Sequence, residues 1–524
     1  MKEISDPSSE NESGMGLQVA RNSIFGAVQA LISIAALFFI TPYILKEIGV
    51  ERYAVWALLG LITMYGMLSD FGITKALVYF IPKGRVEEGM DRINVLISTA
   101  MTFYLVSVTI VMAIMFALRN VIVVYLFKVP DYIYQESMFV VTGAILVFGL
   151  SIISGVYNSV LFGYQRVDVA SYILIVYSIL DPLGSFVALK LGYGLPGLMA
   201  SRLVATIFMT LAVWNTAKKI APGLGYHPRL FDREAFRSVF IYGINHQVSS
   251  ISWMLDNSIT KLLLPSVAGL SYVTYYHLAW RTRMRATSLF YGAMGSLTPA
   301  ASELFASEDT QRLRSLYFRS IRYIFIFALP LFVLMAVLSV PFVNVWLGDG
   351  FELVGITIIL LVLPGLFGLI RRSANEMLRG IGQVRPITYI SMLSVAMHLV
   401  FTFSLGKIFG YFGVVAATMS ASLISSYILI RICNDNLGVR FKDIPRHLSL
   451  GALSLALLLG ILGFGIMKFA PGLSDLLTLL LVGTGYLVGY LAGIFGLRLL
   501  DKMDISLINK LTPRWLPIKR FLKA

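Results

Sequence analysis

The feature that most constrains this chain is a close succession of apolar stretches, each long enough to cross a hydrocarbon core ~30 Å thick. They fall at about 22–45, 52–81, 93–118, 134–162, 168–189, 195–217, 238–264, 270–300, 317–346, 352–378, 386–406, 411–432, 447–469 and 475–498. Hydrophobic residues make up 57% of the 524 and charged residues only 14%. A soluble core has no room for that much apolar surface, so lipid must be the solvent. The expectation is an all-α polytopic membrane protein of about fourteen transmembrane helices, and not a soluble enzyme. The first twenty-two residues are polar and lack the pattern of a cleaved signal peptide. The first span is therefore expected to act as an uncleaved insertion signal. Cys433, the single cysteine, excludes an intramolecular disulfide and a cysteine metal site. The five histidines are dispersed, and no HExxH, Walker A or GxSxG pattern occurs. Neither a catalytic residue, a metal nor a cofactor is expected.

The loops are short, the longest being about 219–237 and 301–316, and their charges are uneven. With the N-terminus placed inside, thirty of the 43 Lys and Arg fall on inside segments and eight on outside ones. The positive-inside rule then puts both termini in the cytoplasm. The formal net charge of +15 is spread over these loops without forming a patch, so nucleic acid is not an expected partner. The tail at 500–524 mixes Trp515 and Phe521 with Lys and Arg. It reads equally as an interfacial amphipathic segment or as a frayed basic end.

An internal repeat divides the spans. Asn158, Leu161, Gly163 and Tyr172 recur as Asn375, Leu378, Gly380 and Tyr389 at an offset of 217, as do Pro82 as Pro299 and Lys190 as Lys407. A duplicated six-span unit gives two parallel lobes. The expected organisation is an N-lobe at 1–218, a cytoplasmic linker at 219–237 and a C-lobe at 238–435. Two further helices occupy 436–499, and the basic tail follows.

Ionisable residues inside spans are costly and mark candidate sites. The densest group is Arg281, Arg283 and Arg285 in the eighth span. At ~1.5 Å per residue, Arg281 lies about 13 Å and Arg285 about 20 Å from the outer end. Each would cost roughly 2.5–3.5 kcal/mol at a lipid-facing helix centre. Arg281 and Arg285 share a face, whereas Arg283 points nearly opposite. They read as an anion clamp, since guanidinium forks suit phosphate oxygens, or as structural partners of acids such as Asp70 or Asp256. Asn245, His246 and Gln247 in the seventh span are further cavity candidates, or interhelical hydrogen-bonding groups. Asp70, Lys75, Asp256 and Lys261 are candidates for coupling or gating. Asp181 and Arg202 read as a structural ion pair between adjacent helices.

Three stretches carry a resemblance: TPYILKEIGVERYAVWALLGLITMYGMLSDFGITKALVYFI (41–81), LFGYQRVDVASYILIVYSIL (161–180) and SWMLDNSITKLLLPSVAGLSYVTYYHLA (252–279). They resemble the polysaccharide transporters, the O-antigen-type flippases of the multidrug/oligosaccharidyl-lipid/polysaccharide (MOP) exporter superfamily. The resemblance implies two six-helix lobes around a cavity lined chiefly by spans 1, 2, 7 and 8. It also implies alternating access and flipping of polyprenyl-diphosphate-linked oligosaccharides across the bacterial inner membrane. The implied partners are that lipid-linked substrate, membrane lipids and polysaccharide polymerase and export machinery, with the chain itself a monomer. A proton or sodium gradient is the expected drive. Rival readings are a lipid-linked peptidoglycan precursor flippase, a cation-coupled multidrug antiporter and, from another class, a glycan polymerase or ligase. The short outside loops argue against the last, and arginines in span 8 suit a cationic substrate poorly.

Overall fold

A computed structural model of the chain describes residues 7–440, 443, 449–469, 473–501 and 504. Side chains are described except at 7–27, 30, 37, 65, 67, 245–246, 248–253, 255–257 and 293. The described residues form helices and turns, with no strand among them. In order these are α1 (Pro7–Gly66), α2 (Ile73–Glu87), α3 (Gly89–Ala117), α4 (Tyr134–Gly163), α5 (Val167–Lys190), α6 (Gly194–Ile220), α7 (Arg233–Val267), α8 (Ser271–Gly295) and α9 (Leu297–Ala306). Then come α10 (Thr310–Tyr323), α11 (Leu329–Leu347), α12 (Glu352–Gly380), α13 (Arg385–Leu437), α14 (Leu450–Phe469) and α15 (Asp475–Gly496).

Among the described residues, 10 helical stretches are long and apolar enough to cross a membrane. Two of them are double. α1 is broken at Gly49 (φ 79°, ψ 172°) and α13 at Gly410 (φ 57°, ψ −133°). Both are conformations that L side chains rarely adopt, so glycine is what lets the chain fold back there. α7 and α8, of 35 and 25 residues, are long enough to span but too polar to be among the ten. With the two breaks and these two helices the count reaches about fourteen.

The chain divides into two compact units, Met1–Thr274 and Tyr275–Ala524. In the first unit, Leu77 and Ile81 of α2, Ile97 of α3, Phe148 and Ile152 of α4, Val213 of α6 and Val239 of α7 close one core. The segment before α7 is stitched to α3. Asn94 donates to Gly223 O and accepts from Gly225 N, while Ser98 and Thr99 accept from His227 N and Asp232 N. In the second unit, α10–α15 surround a core that includes Leu369, Met377, Leu429, Cys433, Tyr486 and Tyr490. A π-helical stretch, Ile324–Ala328, joins α10 to α11. Tyr490 Oη donates to the carbonyl of Ile326 within it (2.7 Å), satisfying an acceptor in disturbed helix geometry. Large apolar side chains such as Phe39, Val106, Leu458 and Ile461 stay exposed on the helices, as a lipid-solvated surface requires.

Residues that recur at the offset of 217 sit in matching helix-end geometry. After α4, Gln165 (φ 59°) donates its N–H to Phe162 O, and Arg166 N donates to Leu161 O. After α12, Gly382 (φ 76°) and Gln383 repeat both bonds, to Arg379 O and Leu378 O. This is one left-handed C-terminal cap made twice. Gly163 lies against Ile81 and Pro82, and Gly380 against Thr298, Ala301 and Ser302. A close glycine contact thus also recurs at the repeat offset.

The apolar run at 52–81 is not one helix. It is interrupted by a 3-10 turn at Met67–Asp70, then Phe71 (φ 48°) and Gly72 (φ 73°). The break is where α7 crosses. A Cβ on Gly72 would overlap Gly243 O, and one on Gly243 would lie 2.7 Å from Phe71 O. Only glycine at both positions allows that approach.

Candidate functional site

The broken helix gathers several of the sequence candidates within the first unit. Asp70 is buried, at 8% exposure. Its carboxylate accepts from Thr74 Oγ1 at 2.9 and 3.0 Å and from the hydroxyl of Tyr104 on α3. Tyr104 also reaches Asp70 O at 3.1 Å. Gln247 on α7 is buried and donates to Leu68 O in the same turn at 3.2 Å. A helix interrupted inside a membrane leaves carbonyls without partners, and these groups supply them. Thus Asp70 and Gln247 converge on one break. Lys75, one turn on in α2, is exposed. Lys261, toward the other end of α7, is buried at 5% exposure. Asn245, His246 and Asp256 belong to α7, but their side chains lie outside the described residues.

Asp181 on α5 and Arg202 on α6 meet at 3.2 Å (Nη2 to Oδ2). The Arg202 guanidinium also stacks over Trp56, 4.3 Å from its ring centroid. The pair therefore fastens α5, α6 and α1 together. Just after the α1 break at Gly49, Arg52 forks onto Glu136 at the start of α4 with two 2.8 Å bonds. In the sequence Arg52 is simply one of the eight outside charges.

The arginines of α8 belong to the second unit. Arg281 and Arg283 are half-buried and Arg285 is exposed. The stem of Arg283 packs on α12, where a Cβ on Gly365 would lie 3.2 Å from its Cδ. Arg283 thus faces the α12 contact, while Arg281 and Arg285, four residues apart, share another face. The hydroxyls of Thr282, Thr287 and Ser288 turn back onto the helix's own carbonyls at 2.8–2.9 Å. Such bonds hide the polarity of short side chains but do nothing for a guanidinium.

A further polar network on α12 escaped sequence reasoning. Glu376, 5% exposed, accepts from Thr298 Oγ1 (2.6 Å) and pairs with Arg372 (2.6 Å). Arg371 donates to Ser425 and Ser391 on α13. The adjacent arginines look like loop charges, and only the i,i+4 spacing of Arg372 and Glu376 hinted at the pairing.

The fold is one also seen in solved structures of MOP-superfamily transporters. The chain superposes on the inward-facing multidrug resistance MATE family transporter with a TM-score of 0.66 at 14% identity, over 78% of this chain and 98% of that one. It superposes on the lipid II flippase MurJ, inward closed, at 0.69 and 14% identity, over 91% and 99%. A MOP-superfamily transporter from Pyrococcus furiosus gives 0.55 at 14% identity, over 80% and 95%. At such identity these likenesses establish the fold. A family model described as "Polysaccharide biosynthesis protein" matches residues 48–355, more than half the chain, and the chain belongs to that family. An uncharacterized membrane protein of Methanocaldococcus jannaschii is 23% identical over 479 residues, 88% of this chain and 91% of that one.

Proposed function

We propose that this chain is a flippase that carries polyprenyl-diphosphate-linked oligosaccharide units across the membrane by alternating access, for surface polysaccharide export. The observation that carries the reading is α8. A span-length helix places Arg281 and Arg285 on one face, in a chain of the polysaccharide biosynthesis family with a MOP-superfamily fold. Guanidinium groups on a transmembrane helix suit an anion better than a cation, and a diphosphate fits their forks. This favours a lipid-linked anionic substrate over a cationic drug, and one structural neighbour is itself a lipid II flippase. The sugar head would travel in water while the lipid tail stays in the bilayer, so the hold on the diphosphate must be moderate for release to follow.

The setting implied is a prokaryotic plasma membrane, the bacterial inner membrane, with both termini cytoplasmic and a proton or sodium gradient as drive. The chain acts as a monomer, alongside membrane lipids and the polymerase and export machinery. It transports without making or breaking glycosidic bonds. In cells, the double substitution Arg281→Ala/Arg285→Ala should abolish surface glycan at unchanged protein level. Full glycan in that strain would remove the clamp from the account.

A further inference from the structure

The second unit holds another basic concentration, apart from α8. In α10 (TQRLRSLYFRSIRY), Leu313, Tyr317 and Ile321 recur every four residues and are buried, which turns the arginines to other faces. Arg314, Arg319 and Arg322 line a cavity of about 430 Å³ with Thr310, Ser315 and Asp501. Two of these arginines are held by backbone at the ends of other helices. Arg314 Nε donates to Leu437 O at the end of α13 (2.7 Å). Arg322 Nη2 donates to Leu499 O after α15 (3.1 Å) and to Asp504 (2.9 Å).

The charge there is not balanced. Three guanidinium groups stand against two carboxylates, Asp504 and Asp501, and both of these lie on Arg322, at 2.9 and 3.8 Å. Arg319 Nη1 and Arg322 Nε are shut off from solvent without a hydrogen-bond acceptor. Buried guanidinium donors lacking acceptors are costly and call for an anion. The cavity lies where α10 opens the membrane-spanning stretch Thr310–Leu347 and where the chain leaves α15. Helix ends of this kind stand at headgroup level, where clustered arginines attract anionic lipid.

We propose that this cavity is a phosphate-binding site, taking the phosphate of an anionic phospholipid headgroup or a soluble phosphate. The guanidinium group of Arg319, together with the free edge of Arg322, would hold the phosphate oxygens, with the Ser315 hydroxyl one turn before Arg319 on the same helix face and Arg314 beside it.

The test uses the full-length protein in detergent, with phosphatidylglycerol, phosphatidylcholine or inorganic phosphate added, read by native mass spectrometry and thermal shift. Retention of phosphatidylglycerol over phosphatidylcholine assigns a headgroup, and stabilisation by inorganic phosphate alone assigns a soluble anion. Either supports the site if Arg319→Gln and Ser315→Asp each weaken it about tenfold, the order expected for losing or opposing one charge-assisted hydrogen bond. Asp501→Asn, which removes one of the two competing carboxylates and leaves the shorter Asp504 pair in place, should tighten binding. Ser315→Asp leaves every arginine in place, so its melting temperature without ligand separates misfolding from lost binding. Binding of neither probe, or equal binding by wild type and all three variants, overturns the proposal.

Discussion

Arg202 shows what a charged side chain inside a span needs. Its guanidinium has the Asp181 carboxylate at 3.2 Å and the Trp56 face at 4.3 Å, while Asp181 Oδ1 is buried without a hydrogen-bond partner. Removing either charge alone strands the other, at a cost of about 1.5–3 kcal/mol. Asp181→Leu/Arg202→Met should cost less than either single change, because apolar packing replaces a buried pair well. Melting temperatures in detergent measure this. Additive losses would mean that the two side chains act separately. Two span-embedded charges on consecutive predicted helices made this pair legible in the sequence. Trp56 was not legible, because nothing in its neighbours says that α1 passes the same point.

At the scale of elements, glycines decide where helices break and cross. The runs of apolar residues and the offset of 217 were readable because both are periodic. The interruption at Met67–Gly72 was not, since the apolar run continues through it. It exists because Phe71 and Gly72 take left-handed conformations while Tyr104, Thr74 and Gln247 satisfy the turn from three helices. Gly72→Ala should therefore abolish folded protein, since both the backbone angle and the contact with Gly243 exclude a methyl group. Normal yield and a monodisperse chromatography peak would refute that. The duplicated cap supports a comparison. A Cβ at Gly163 meets a side chain, Ile81, whereas one at Gly380 lies 2.8 Å from the backbone oxygen of Thr298 and 2.5 Å from Ala301 Cβ. Gly380→Ala should cost more than Gly163→Ala, both within about 1–3 kcal/mol, because a backbone cannot step aside as a side chain can. Equal shifts in melting temperature would mean that the second contact relaxes as easily as the first.

For the whole molecule, composition and hydropathy carried the fold class, because lipid imposes one rule on every span. The chemistry was less legible. Arg281, Arg283 and Arg285 stand out by depth and charge, and helical spacing turns Arg283 away from the other two, but what lies against it, Gly365 of α12, comes only from the packing. Orientation rests on loop charge and is open to labelling. Cys433 is buried and serves as a silent background. A cysteine in place of Lys190 should react with an impermeant maleimide in spheroplasts, and one in place of Lys219 only after permeabilisation. The reverse pattern would invert the topology. The central claim is that transport is anchored on the substrate's phosphates by Arg281 and Arg285. The most direct test is flipping of a polyprenyl-diphosphate-linked oligosaccharide in proteoliposomes of the purified protein, followed by protection of the glycan from an external lectin. The account predicts translocation that the double alanine variant loses while remaining folded. Equal translocation by wild type and variant, or none above protein-free vesicles, would contradict it.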